Sequence, residues 1–228
     1  MKPLVIFGAS TLARLAHYYA TREMAMQATG FVVNDAYADG ASFQSLPVWA
    51  WSEFLACHDP GTVALHVAIG YRDMRARAAA FRMVGAAGYN TVNIVSRASY
   101  LADDASLGSN NLVMPGVVVE SGVSMGSNNV VWSNATICHD CHIGDHNFIA
   151  ANATLGGGAR MGDGNFLGFS SVVLQGRAVG SETLIDAQSL VRQDTLDLHR
   201  YHGIPARVVG TIDPALGIRV DEAHWRHS

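Results

Sequence analysis

The densest chemistry in this 228-residue chain is the segment Ser133-Asn134-Ala135-Thr136-Ile137-Cys138-His139-Asp140-Cys141-His142-Ile143-Gly144. A histidine beside a carboxylate suits general base work, because imidazole titrates near neutrality and a carboxylate can orient it or stabilise its charged form. The same residues spell CxxCH, the attachment pattern of c-type haem, and contain the CxxC of redox and metal sites. A solvated histidine at a surface turn is the plainest reading. Choosing among these requires the elements that carry the segment.

Stepping by six residues from Val95 meets Leu101, Leu107, Val113, Val119, Met125, Val131, Ile137, Ile143 and so on to Val191, seventeen aliphatic positions in one phase. The positions four later are small or compact, among them Val117, Asn129, Ala135, Cys141, Asn147 and Ala153, with Arg177 the exception. The position directly after the aliphatic residue is often glycine, as at Gly108, Gly126, Gly144 and Gly156, which suits a tight bend at a coil corner. This pattern predicts short strands joined by turns, three hexads to a coil, with the aliphatic side chains stacked inside a parallel β-helix. A β-sandwich would need turn signals every ~8–12 residues and alternating faces.

In this phase Cys141 takes the small inward slot and Cys138 the corner slot usually held by glycine, so both read as packing residues and no metal is expected. His139 and Asp140 fall on an outward-facing turn. Adjacent coils place Ser121 and Gly122 on one side of them and Gly157 and Gly158 on the other, an open edge. Gly156, Gly157 and Gly158 would let a ligand approach the backbone, and their amides could point at a developing oxyanion. A zinc site with histidines across coils has Ser and Gly where its ligands should stand, and His142, His146 and His66 have no comparable support.

The first half reads differently. Pro3 to Phe7 is an apolar strand ending at Gly8, and Thr11 to Ala28 has helix-compatible spacing. Phe31 to Val33 is a second strand, ending in Asn34 and Asp35; Val63 to Ile69 is another, ending in Gly70; Arg72 to Ala87 is a helix, and Thr91 to Val95 leads into the first hexad. The expected fold class is α/β plus β: a small Rossmann-like parallel domain over 1–95, a β-helix over 96–210 and a C-terminal tail over 211–228. Ligands bind such sheets at the carboxyl ends of the strands, which points to Gly8, Ser10, Asn34, Asp35, Gly70 and Arg72. Gly8-Ala9-Ser10-Thr11 matches GxGxxG poorly, so NAD is not expected.

A net charge of -4 with no run of Lys or Arg leaves no footprint for nucleic acid or anionic lipid. The apolar run Leu4 to Phe7 is shorter than a signal-peptide core and no stretch approaches a membrane span, so neither export nor membrane insertion is expected. Three cysteines suggest no disulfide framework, and a cytoplasmic location follows, which also argues against haem attachment.

The hexad array behind a small Rossmann-like domain, with Ile137-Cys138-His139-Asp140-Cys141-His142-Ile143-Gly144, resembles the sugar O-/N-acyltransferases of the NeuD and PglD type. Phe31-Val32-Val33-Asn34-Asp35, Ala68-Ile69-Gly70-Tyr71-Arg72 and Gly203-Ile204-Pro205-Ala206-Arg207 add to the likeness, which spans residues 2 to about 209. The resemblance implies a left-handed helix, a homotrimer, and acetyl-CoA or another short acyl-CoA as co-substrate. It implies His139 as base with Asp140 assisting, and the Gly157 amide at the thioester carbonyl. Coenzyme A would lie along the coils near Gly157, Gly158, Ile204, Pro205 and Ala206, in a groove between subunits. A sugar or nucleotide-sugar acceptor would rest near Gly8, Ser10, Asn34, Asp35, Gly70 and Arg72, bordered by Trp132 and Asn134. The amino-sugar N-acetyltransferases of this type have Asn and His where this chain has Trp132 and Phe148, and Trp132 either caps the coil edge or shapes the acceptor pocket. The favoured activity is transfer of an acetyl or short acyl group to the amine of a nucleotide-linked amino sugar. O-acylation of a sugar hydroxyl and a non-catalytic scaffold are the alternatives.

Overall fold

The computed structural model describes residues 2–40 and 42–220. The chain begins with β1 (Leu4–Phe7), a run of four buried apolar residues, followed by α1 (Thr11–Tyr18), which continues as one π-helical turn over Tyr19–Glu23. Next come β2 (Ala28–Val33), the short pair β3 (Ser42–Phe43) and β4 (Leu46–Ala50), α2 (Trp51–Cys57), β5 (Ala64–Val67) and α3 (Met74–Ala86). The sheet order is β3-β4-β2-β1-β5, parallel except for β3 against β4. Its centre agrees with the Rossmann-like expectation. The β3, β4 and α2 elements are not read from the sequence, because Pro47 interrupts the apolar run and β3 has only two residues.

From Ile94 the chain winds through seventeen two-residue strands at six-residue intervals, β6 (Ile94–Val95) to β22 (Leu190–Val191). They stack into three parallel sheets, so the coil is a three-sided prism. The second residue of each strand points inward, and Val113, Val131, Ile137, Ile149, Leu155, Leu167, Val173 and Ile185 are all fully buried. The coils begin one strand earlier than the 96–210 domain expected, at Ile94, which pairs with Leu112. The antiparallel strands β23 (His199–His202) and β24 (Arg207–Thr211) close the far end of the first sheet. The region expected as a tail is partly folded: Ile218 and Val220 are buried in the N-terminal core, while 221–228 lie outside the described residues.

The corner glycines have a different reason from the one expected. Gly108, Gly126, Gly144, Gly156 and Gly162 do not have positive φ; a Cβ on Gly144 would lie 3.0 Å from the Gly162 carbonyl on the next coil. Close stacking excludes the side chain there. The left-handed bend falls two residues later, at Asn110, Asn128, Asn134, Asp140 and His146, where Asn and Asp tolerate positive φ best. The inward asparagines are also explained. Asn111, Asn129, Asn147 and Asn165 each accept, through Oδ1, the backbone amide of the equivalent residue one coil on, at 2.7–2.9 Å. A buried amide needs such a partner.

The prism's first face is apolar on its outside as well. Leu112, Val130, Phe148, Phe166 and Leu184 pack with Leu4, Ile6, Leu12 and Phe31 of the N-terminal domain. Two polar anchors add to this seam. The Asn110 side chain pairs with both the amide and the carbonyl of Val67 in β5. Fully buried Arg77 on α3 donates to the carbonyl oxygens of Asn128, His146 and Asn147.

Candidate active site

Two separate features carry chemistry, and they lie on different edges of the prism. The first is the corner between the second and third faces, residues 138–141. Adjacent residues on a strand point to opposite faces, yet here the left-handed backbone at Asp140, φ 58°, turns two consecutive side chains together. His139 Nδ1 lies 2.9 Å from Asp140 Oδ2. An ionised carboxylate only accepts, so Nδ1 carries the proton and Nε2 of the neutral ring keeps its lone pair. The Asp140 hydrogen bond holds the His139 pKa above the ordinary imidazole value; desolvation opposes it, and the charges of Asp140 and Glu120 add to it. Both side chains are well exposed, 65% and 71%.

The stacking read from the hexads is present. Asp140 donates its amide to Ser121 O at 3.0 Å, and Gly158 donates to His139 O at 2.8 Å. Gly157 lies directly beside the imidazole: a Cβ there would be 2.5 Å from Nε2. The three glycine amides are not equivalent. Gly156 donates to Val173 O and Gly158 to His139 O, whereas Gly157 donates no hydrogen bond among the described residues. Of the three, the Gly157 N–H alone is open to a ligand.

Glu120 was not among the residues singled out by sequence. It precedes Ser121 on the coil below, and its Oε2 accepts the His139 amide at 2.7 Å. Extending the coil stacking by one position, to the neighbour of Cys138, would have found it. Cys141 is fully buried, with burial pushing its thiol up to about 11, and Cys138 is partly covered, as packing residues should be. His142 Nδ1 meets Ser124 Oγ at 2.7 Å on the third face, His146 joins Asn128, and His66 is buried against Val92 O. Among the described residues no cluster of three or more His, Cys, Asp or Glu could hold a metal ion.

The second feature is a cleft of about 1100 Å³ between the N-terminal sheet and the corner joining the first and second faces. The carboxyl ends of β1, β2 and β5 open into it, bringing Gly8, Ser10, Asn34, Gly70 and Arg72 together with Trp132. Gly8 has φ 126°, and a Cβ would come 2.8 Å from Ala68 O, so only glycine makes this turn. Ser10 stands at the N-cap of α1 without a side-chain hydrogen bond to the helix, and among the described residues its hydroxyl has no partner. The floor is aromatic. Phe148 stacks on Phe166 with ring centroids 5.2 Å apart and planes 4° off parallel, and Trp132 and Tyr71 lie 5.7 and 4.7 Å from Phe148. Phe169 joins them at the rim.

Two expected acceptor residues do not line this cleft. Asp35 turns its carboxylate to the Ser52 amide at 2.9 Å, at the start of α2, and that bond holds its pKa below the usual carboxylate range. Asn134 is exposed on the same corner as Trp132 but is occupied with the turn, at φ 61° and with its amide on Pro115 O. Ile204, Pro205 and Ala206 form the turn between β23 and β24. Ile204 is 74% exposed, and Ala206 donates to Leu190 O at 2.8 Å. Leu190 lies three coils beyond Thr136 on the second face, or about 14 Å at ~4.8 Å per strand spacing.

Three overlapping stretches, 104–139, 123–157 and 140–175, match the bacterial transferase hexapeptide (six repeats) family. No curated protein sequence matches the chain. Among solved structures, the fold is shared with the acetyltransferase domain of PglB from Neisseria gonorrhoeae FA1090, at 22% identity and TM-score 0.82 over 92% of this chain and 100% of that one. It is also shared with PerB from Caulobacter crescentus in complex with CoA and GDP-perosamine, at 23% identity and TM-score 0.73 over 92% and 98%. WeeI from Acinetobacter baumannii AYE superimposes at 17% identity and TM-score 0.76 over 92% and 100%.

Proposed function

We propose that this chain transfers an acetyl or short acyl group from an acyl-CoA to the amine of a nucleotide-linked amino sugar, with His139 as general base. The observation that carries this reading is the His139–Asp140 pair, which leaves Nε2 basic and exposed directly over the Gly157 backbone. As the acceptor nitrogen attacks the thioester carbonyl, Nε2 takes its proton. Collapse of the tetrahedral intermediate breaks the C–S bond, and the thiolate leaves with a proton returned from the imidazolium. The free Gly157 amide is suited to the developing oxyanion. The neighbouring thiols and hydroxyl are not activated: burial raises the pKa of both Cys138 and Cys141, and Ser121 Oγ donates to Asp104 Oδ2, which favours direct transfer in a ternary complex.

Ile204 is exposed, with Pro205 and Ala206 half-buried beside it, along the same helix where a coenzyme A arm reaching from His139 would end. The acceptor belongs in the cleft that gathers Gly8, Ser10, Asn34, Gly70, Arg72 and Trp132. No residue of the His139 corner lines that cleft. A single chain therefore keeps base and acceptor site apart, and a homotrimer in which one copy's cleft faces its neighbour's His139 joins them. Solved proteins of this fold support the choice of substrates: one PglB domain structure holds acetyl coenzyme A, and PerB holds CoA and GDP-perosamine.

The test is release of CoA from acetyl-CoA in the presence of a panel of nucleotide amino sugars, comparing wild type with His139→Asn. Loss of turnover in a folded variant is expected, and undiminished turnover rejects the base. A product labile to mild alkali would identify an ester, hence O-acylation, in place of the amide.

A further inference from the structure

In the turn that presents His139, the amides of Cys138, His139 and Asp140 are each bonded. Cys138 donates to Leu155 O at 2.9 Å and Asp140 to Ser121 O at 3.0 Å, both ordinary coil-to-coil bonds. The His139 amide is different, since its acceptor is a side chain, Glu120 Oε2 at 2.7 Å. The equivalent amides one coil below and one coil above, at Ser121 and Gly157, make no hydrogen bond among the described residues. The fold therefore tolerates that amide unpaired, and a carboxylate is supplied only where the histidine stands. Glu120 is itself held in register, its own amide donating to Ile137 O at 2.9 Å.

We propose that Glu120 is a positioning residue for His139: it locks the backbone of the turn beneath the imidazole and places a second negative charge, besides Asp140, beside the ring. The proposal rests on the reading of His139 as base. It gives the two carboxylates separate tasks. Asp140 fixes the tautomer and ring direction through Nδ1, while Glu120 fixes where the ring is anchored. Both charges favour the imidazolium that forms as the acceptor loses its proton. The direction of the His139 pKa, raised with Asp140 and Glu120 both contributing, agrees with this geometry. The other groups around the ring are Cys138 on its own turn, Ser121 on the coil below and the three glycines 156–158 on the coil above. Asp103 and Asp104 lie a further coil below, where the Asp104 carboxylate is taken up by Ser121 Oγ at 2.7 Å and the Gly122 amide at 3.1 Å. Arg160 begins the strand after the glycines.

The experiment compares wild type, Glu120→Gln and Glu120→Ala by NMR titration of the His139 ring and by pH profiles of kcat/KM with acetyl-CoA and an amino-sugar nucleotide. Glutamine keeps an acceptor oxygen for the amide and removes the charge. Removing the negative charge beside the ring disfavours the imidazolium, so the Gln midpoint should fall and the acid limb of the profile should follow it. Alanine loses both functions, and its plateau rate should drop about tenfold or more, with much of that loss recovered in the Gln variant. An unmoved His139 midpoint in Glu120→Gln overturns the electrostatic half of the proposal, and an undiminished plateau in Glu120→Ala overturns the positioning half. The NMR titration needs no substrate. A shifted midpoint in a chain that transfers no acyl group would therefore sink the acyltransfer reading while supporting the electrostatic role of Glu120.

Discussion

Replacing Gly157 by alanine should disable the chemistry while leaving the fold intact. The new Cβ would stand 2.5 Å from His139 Nε2, 2.6 Å from Cε1 and 3.1 Å from Cδ2. Carbon and nitrogen in contact prefer about 3.5 Å, so the ring must retreat by about 1 Å or leave its rotamer. Gly157 is outside the left-handed region, so the backbone accepts alanine without strain. The imidazole is 65% exposed and can swing into water, and losing its exposed bond to Asp140 costs little stability. Misplacing a reacting group by ~1 Å costs about 10²-fold, equivalent to about 2.7 kcal/mol of transition-state stabilisation. Gly158→Ala is the control, because its Cβ would meet nothing within 4 Å but its φ of 67° strains any side chain, a cost of ~1–2 kcal/mol in stability. Steady-state CoA release and thermal melts of both variants check this. Gly157→Ala should lose about a hundredfold in kcat with its melting temperature nearly unchanged, and Gly158→Ala should show the larger thermal shift. Turnover in Gly157→Ala within threefold of wild type would refute the placement of the base.

Asp140→Asn should move the acid limb of kcat/KM to lower pH. A general base works deprotonated and Asp140 raises the His139 pKa, so on the proposed role removing that charge brings the limb back toward the ordinary imidazole value near ~6.5. The plateau should still fall about tenfold or more, because the Asn amide can donate to Nδ1 and leave the proton on Nε2; a pH–rate series shows both effects. Trp132→Ala removes a ring that packs, tilted, against Phe148. It should raise KM for the acceptor about tenfold with little change in KM for acyl-CoA, as initial-rate kinetics with each substrate varied would reveal. His66 is fully buried and its pKa is lowered to about 4, chiefly by desolvation. The unfolded chain binds that proton below ~6.5 while the folded one does not, so stability present above that pH is lost as pH falls toward 4. Thermal melts across this window should show His66→Gln with a shallower acid loss than wild type.

The legible and illegible parts of this protein divide along a physical line. A period of six in constant phase dictates which residues point inward and which stack across coils, because each coil repeats the last at a separation of eighteen residues. Hence the aliphatic core, the buried Cys141, and Ser121 and Gly157 beside His139 were all readable by counting. The convergence of His139 with Asp140 depended on a left-handed φ of 58° that the pairing of residue types suggested but did not prove. The Glu120 contact lay one step beyond the stacking as counted, since its side chain reaches sideways to a backbone amide.

What the sequence by itself determined is everything that repeats: strand phase, coil corners and the glycine edge beside His139. Only the tertiary structure decided how the non-repeating domain seats on the prism. That seat buries Phe148 and Phe166 under Trp132 and Tyr71 and opens the cleft on a different edge from His139. Phe148 over Phe166 follows the eighteen-residue coil repeat, but Tyr71 on that pair joins residues with no shared period, so no local pattern encodes it. It is set by which apolar faces of the two domains fit each other best.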